Sequence, residues 1–153
     1  MNFHDYLNRQ QNEDRRAFVI HYGAKSGKTR FARRICETRQ DVYLLDLLAY
    51  FLEHPELPPI QKCGFDTLKD LLLTLAVPQD VIVVDNPDFL LNTWSAEEKR
   101  SLLNWLRVQL RSPTVTQKTF VFVIQTDDTI AAAELRNSYR ESRVLPLDAF
   151  DAL

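Results

Sequence analysis

Little in this chain points to a membrane, a metal centre or an oxidising compartment. Its two cysteines, Cys36 and Cys63, form no C-x-x-C pair and have no spaced histidines nearby. That argues against a disulfide framework or a zinc module and for a reduced, cytoplasmic setting. His4, His21 and His54 show no ligand spacing. The opening MNFHDYLNRQQNEDRR is polar and charged, without the apolar stretch of a signal peptide. No later run approaches the roughly 20 apolar residues a membrane span requires. With 19 basic and 21 acidic residues the net charge is −2, so no strong global field draws the chain to nucleic acid. Repeats, low-complexity segments and linkers are also missing. The 153 residues therefore read as one domain, 1–153, large enough to form a core without staples.

What is present is an alternation of β-rich and helix-forming runs. Residues 2–12 predict a short polar helix, so that 1–14 is a helical lead-in. Ala17 to Tyr22 is a β-rich run ending at a glycine. Residues 28–39 form helix, with Phe31, Ala32, Ile35 and Cys36 on one face. Residues 42–46 predict a strand, and a helix over 47–52 must end at the prolines of 54–59. Residues 66–76 have the spacing of an amphipathic helix, with Asp66 as its cap. Val81-Ile-Val-Val-Asp85 and Phe120-Val-Phe-Val-Ile124 are apolar without alternation, as in parallel strands covered by helices on both faces. Between them Ser95 starts a helix to about Leu110, with Glu98 completing a capping box. Residues 128–137 look helical, and Arg143 to Leu147 is a last short strand. Trp94 and Trp105 read as core or interface residues. The pattern predicts an α/β layered fold with a mostly parallel sheet of about five strands.

Tyr22-Gly23-Ala24-Lys25-Ser26-Gly27-Lys28-Thr29 lies between the first strand and the second helix. Successive amides and a helix N-terminus in such a loop converge on an anion. Gly27 lets the backbone approach phosphates, Lys28 reaches the outer ones, and the Thr29 hydroxyl can bind Mg²⁺. Arg30 follows directly. The usual spacing G-x-x-x-x-G-K-[ST] would put its first glycine at Tyr22, whereas the chain has Gly23 one place later. The plain alternative is a chance GKT in a basic turn.

A phosphate loop needs an acid on a neighbouring apolar strand to hold Mg²⁺, and Asp85 supplies one. The next residue is Asn86, where many ATPases carry a glutamate. An amide can hydrogen-bond a water but cannot take its proton. The expectation is nucleotide binding with slow or partner-dependent hydrolysis. Gln125 and Thr126, at the end of the 120–124 strand, are both candidates to sense the outer phosphate, against an ordinary strand end. Of the arginines before the last strand, Arg136 and Arg140 are the preferred pair to act on a neighbouring subunit's nucleotide, against a solvated face. Arg30, Arg33 and Arg34 face away from Phe31 and Ile35. Solvation is their default reading and a nucleic-acid surface the alternative.

Taken together, GAKSGKT, VIVVDN, FVFVIQT and the arginines before RVLPL resemble the core of AAA+ ATPases over about residues 15–148. The resemblance implies a three-layer P-loop NTPase core with strand order 5-1-4-3-2, ATP and Mg²⁺ as cofactors, and a homo-oligomer with nucleotide between subunits. The sequence ends just after the fifth strand, so no C-terminal helical lid is expected. In length and architecture the chain is also similar to the BrxF family, small P-loop proteins of type 3 BREX phage-defence systems. That resemblance implies other defence-system proteins as partners, acting on DNA. Two further readings stand beside an oligomeric defence ATPase. One is a nucleotide-gated adaptor of the replication-initiator or clamp-loader type with negligible turnover. The other is a small-molecule kinase, which lacks the expected arginine-rich lid because residues 111–119 hold only Arg111 and Lys118.

Overall fold

Each apolar run becomes a strand, because its residues have helices to bury against on both sides. The computed structural model describes residues 1–23 and 28–153, the side chains at 28 and 29 excepted. The strands are β1 (Ala17–Tyr22), β2 (Val42–Asp46), β3 (Val81–Asp85), β4 (Thr119–Gln125) and β5 (Val144–Pro146). They form one sheet in the order β2-β3-β4-β1-β5, and every pairing in it is parallel. The helices are α1 (Phe3–Gln10), α2 (Lys28–Thr38), α3 (Leu47–Glu53), α4 (Phe65–Thr74), α5 (Asp88–Leu91), α6 (Ala96–Asn104) and α7 (Asp128–Ala131).

Alternate strand residues feed two separate cores. Val19, Ile82, Val84, Phe120 and Phe122 pack with Leu68 and Leu72 of α4, Leu102 of α6 and Ile130 of α7. Phe18, Ile20, Val83, Val121 and Val123 pack on the other face with α1 and α2, through Phe3, Tyr6, Leu7, Phe31 and Ile35. The result is a three-layer arrangement. Among the described residues no helix is long and apolar enough to cross a membrane. Cys36 and Cys63 are free thiols. Trp94 and Trp105 are buried, and Trp94 donates its indole N–H to the Cys63 carbonyl at 2.8 Å.

Several local expectations are corrected. The 2–12 segment is amphipathic rather than simply polar. Phe3, Tyr6, Leu7 and Gln10 fall at i, i+3, i+4, i+7 and are all fully buried. Burial of each apolar side chain contributes roughly 1.5–3 kcal/mol, so α1 is a layer of the core. Asp66 does not cap α4. Gly64 is the cap residue and offers no side chain, and the Phe65 N–H donates instead to the Glu98 carboxylate at 2.7 Å. Glu98 therefore completes no capping box with Ser95, although the Ser95 hydroxyl does accept the Glu98 N–H at 3.2 Å. Helix α6 passes into a wider π-helical turn over Trp105–Gln109.

The helix expected over 128–137 stops at Ala131. Ile130 and Leu135 are both buried, and five residues apart on a helix they would point roughly 140° from one another. The chain bends instead, and Asn137 accepts the N–H groups of Tyr139 and Glu141 through its side-chain oxygen at 3.0 and 2.9 Å.

Candidate functional site

The carboxyl ends of adjacent parallel strands are where open α/β sheets hold ligands, at the point where the following helices leave to opposite faces. Here that point lies between β1 and β4. Helix α2 follows β1 onto the face carrying Phe18 and Ile20, whereas α7 follows β4 onto the face carrying Phe120 and Phe122. Along this edge the strand ends line up by register, with Tyr22 beside Gln125 and Asp46 beside Asp85.

Asp85 is 6% exposed at the end of a wholly buried strand, and its Oδ1 accepts the Asn86 N–H at 3.0 Å. Asn86 has φ 55°, a left-handed conformation that asparagine tolerates better than most residues. Its side-chain amide donates to Asp46 Oδ1 at 3.2 Å, and the same oxygen accepts the Ala49 N–H at 3.2 Å, capping α3.

Asp88 joins the two strands that flank the crevice. Its Oδ1 accepts the Gln125 backbone N–H at 2.8 Å, and its Oδ2 accepts the Tyr22 hydroxyl at 3.3 Å. Tyr22, standing where the usual loop has a glycine, is thus tied to the crevice wall by its phenol. Thr126 continues the edge, donating its N–H to the Tyr22 carbonyl at 2.9 Å. Its hydroxyl lies 3.1 Å from His21 Nδ1. Burial holds His21 below its ordinary pKa, with Asp148 partly offsetting the effect, so the imidazole is neutral at pH 7. Gln125 and Thr126 are both exposed.

Arg30, in the first turn of α2, is exposed. It borders a cleft of about 440 Å³ whose apolar wall includes Phe31, Leu147 and Phe150. Ala24, Lys25, Ser26 and Gly27, and the side chains of Lys28 and Thr29, lie outside the described residues.

Arg136 and Arg140 do not join this group. They sit in the turn before β5, which packs on α1 and the start of β1. Arg9 pairs with Glu141 at 2.7 Å, the Tyr6 hydroxyl donates to the Ser142 carbonyl at 2.6 Å, and Ser138 donates to Glu13. A six-residue strand spans roughly 17 Å, so this turn and the crevice lie at opposite ends of the sheet. Arg136 donates to the Arg140 carbonyl at 2.9 Å, and Arg140 itself has φ 63°. Arg143 is buried and packs inward rather than lying on a solvated face.

Asp46 and His21 were missed as site residues, and Asp88, close to Asn86 in sequence, could not be placed past Pro87. One signal was available for Asp46. VYLLD and VIVVD are both short apolar strands ending in an acid, and in a parallel sheet such ends fall side by side. Among the described residues no three or more His, Cys, Asp or Glu side chains are grouped to hold a metal. The family models, the curated proteins and the solved structures contain no match to this chain.

Proposed function

We propose that this chain is an AAA+-like P-loop protein that binds ATP and Mg²⁺ at the carboxyl edge of its sheet and hydrolyses ATP slowly or only with a partner. The observation that carries the reading is that β1, the strand before the GAKSGKT segment, ends beside β4 on the same edge at which β3 ends in Asp85. Read from its other side the sheet order is β5-β1-β4-β3-β2, the order the family resemblance implies. Lys28 would hold the outer phosphates. Thr29 and Asp85 are hard oxygen donors suited to Mg²⁺, which would neutralise phosphate charge. Gln125 or Thr126 would sense the outer phosphate, and the cleft beside Arg30 and Phe31 would be a place for the base. The oligomeric state, action of Arg136 and Arg140 across a subunit interface, and a place in a BREX-type defence complex with its DNA-directed partners belong to the same proposal.

A nucleotide-gated adaptor without turnover is the second reading. It is favoured by Asn86, which cannot act as a base and whose amide is committed to Asp46. Calorimetric titration of the full chain with ATP and Mg²⁺ tests the shared claim. Saturable binding lost in Lys28→Ala is expected, and equal affinity in that variant would remove the phosphate-loop assignment. Phosphate release and sedimentation on the same samples separate the readings. ATP-dependent assembly with turnover supports the oligomeric ATPase. Binding without turnover supports the adaptor, and turnover that requires a small acceptor would point to a kinase.

A further inference from the structure

At the starting end of the sheet, away from the proposed nucleotide edge, the Arg143 side chain is almost wholly enclosed, at 2% exposure. One of its terminal nitrogens donates to the carbonyls of Ala17 and Leu106, at 3.1 and 3.0 Å. Its Nε meets no acceptor. Among the described residues no carboxylate forms an ion pair with it. Carbonyl dipoles orient a guanidinium but do not cancel its charge, and buried charges are ordinarily paired. Burial pulls the Arg143 pKa down, an effect that Arg15 and Arg107 reinforce and Tyr6 and Glu13 oppose.

Arg143 is also one wall of an open cleft of about 520 Å³, shared with Arg15, Arg136, Glu13 and Asp14. Glu13 is engaged within the fold, where its two oxygens accept the N–H and the hydroxyl of Ser138. Arg15 and Arg136 each make one bond to a backbone carbonyl, at 3.2 and 2.9 Å, and each guanidinium has further donors. Planar guanidinium groups match the paired oxygens of carboxylates and phosphates. We propose that this cleft binds a small soluble oxyanion, a phosphate or carboxylate group, seated on Arg143 and held by Arg15 and Arg136. The site lies at the opposite end of the sheet from the carboxyl edge. It shares only Arg136 with the nucleotide reading, in which that arginine acts across a subunit interface; its test is therefore run without nucleotide.

The test uses the full chain carrying Lys28→Ala, so that the phosphate loop does not contribute. Inorganic phosphate is titrated in one arm and succinate in the other, at constant ionic strength. The arginine Nε–H resonances are followed by NMR, with the melting temperature measured in parallel. A saturable shift of the Arg143 resonance, with a rise in melting temperature at the same midpoint, is expected in at least one arm. The arm that responds identifies the source of the oxyanion. Replacing the two rim residues together, Arg15→Gln with Arg136→Gln, should weaken the midpoint at least tenfold while leaving the buried Arg143 in place. No saturable shift in either arm, or an unchanged midpoint in the rim variant, overturns the proposal.

Discussion

Asp88 accepts the backbone N–H of Gln125 at 2.8 Å, which fastens the end of β4 to the start of α5. Through its other oxygen the same carboxylate holds the Tyr22 hydroxyl at the end of β1. One side chain therefore ties α5 to the ends of both strands whose following helices diverge.

Asp88→Ala should cost about 1–3 kcal/mol, the usual loss when a hydrogen bond to a charged group is removed. Asp88→Asn keeps an acceptor for Gln125 and should cost less than half as much. Urea unfolding of the two variants checks the order, and equal losses would mean that the carboxylate does not hold the crevice.

At position 86 the backbone, rather than the amide, should dominate. Asn86→Ala places an ordinary side chain at φ 55°, whereas Asn86→Gly carries no such penalty. Both lose the bond to Asp46. Glycine should therefore be the more stable replacement by about 1 kcal/mol, the reverse of the usual ranking. Thermal melts of the pair decide it.

Phe3→Ala tests whether α1 is part of the core. Phe3 is fully buried and meets the rings of Phe31 and Phe150 edge-on at 5.3 and 5.5 Å. Truncation should cost about 3–5 kcal/mol. A change under about 1 kcal/mol would make the helix a detachable lead-in after all.

Acid should weaken the fold in two stages. His21 is held low by burial, so the unfolded chain takes up a proton first, below about pH 6.5. Three carboxylates are also held low. The hydrogen bonds of Arg39 lower Asp41 and those of Arg9 lower Glu141. Burial alone would raise Asp127, but its bonds to Lys99 and to the α7 amides outweigh that effect. All four folded pKa values lie below the unfolded ones, so their stabilisation is complete above the unfolded pKa and is lost as pH falls. Melting temperature should be flat between about pH 7 and pH 8, decline gently near pH 6 and fall steeply below about pH 4.5. His21→Gln should remove the gentle limb, and Lys99→Met should shrink the steep one. A melting temperature that rises on acidification would contradict this assignment.

The strands were legible because their cause is local. An unbroken apolar run such as Val81–Val84 can be satisfied only with both faces covered, and the two cores supply that cover. The row of strand ends followed from the alternation of elements together with the positions of Asp85 and Gln125. What could not be read was contact between distant segments. Asp88 stands 37 residues from Gln125, and no spacing rule links them. Residues 128–137 read as helix because Ala131–Glu134 favour it. The demand to bury both Ile130 and Leu135 overrode that preference, and only the assembled core imposes it.

The Glu98 carboxylate that receives the Phe65 amide also leaves Gly64 little space. A β-carbon at Gly64 would come within 3.1 Å of that carboxylate. Helix α4 thus borrows its first acceptor from the first turn of α6, and the two helix starts are coupled through one side chain. The Phe65 amide proton is released when the end of α4 frays or when the Glu98 carboxylate swings away. Glu98→Ala should therefore speed its exchange while the interior of α6 keeps its protection.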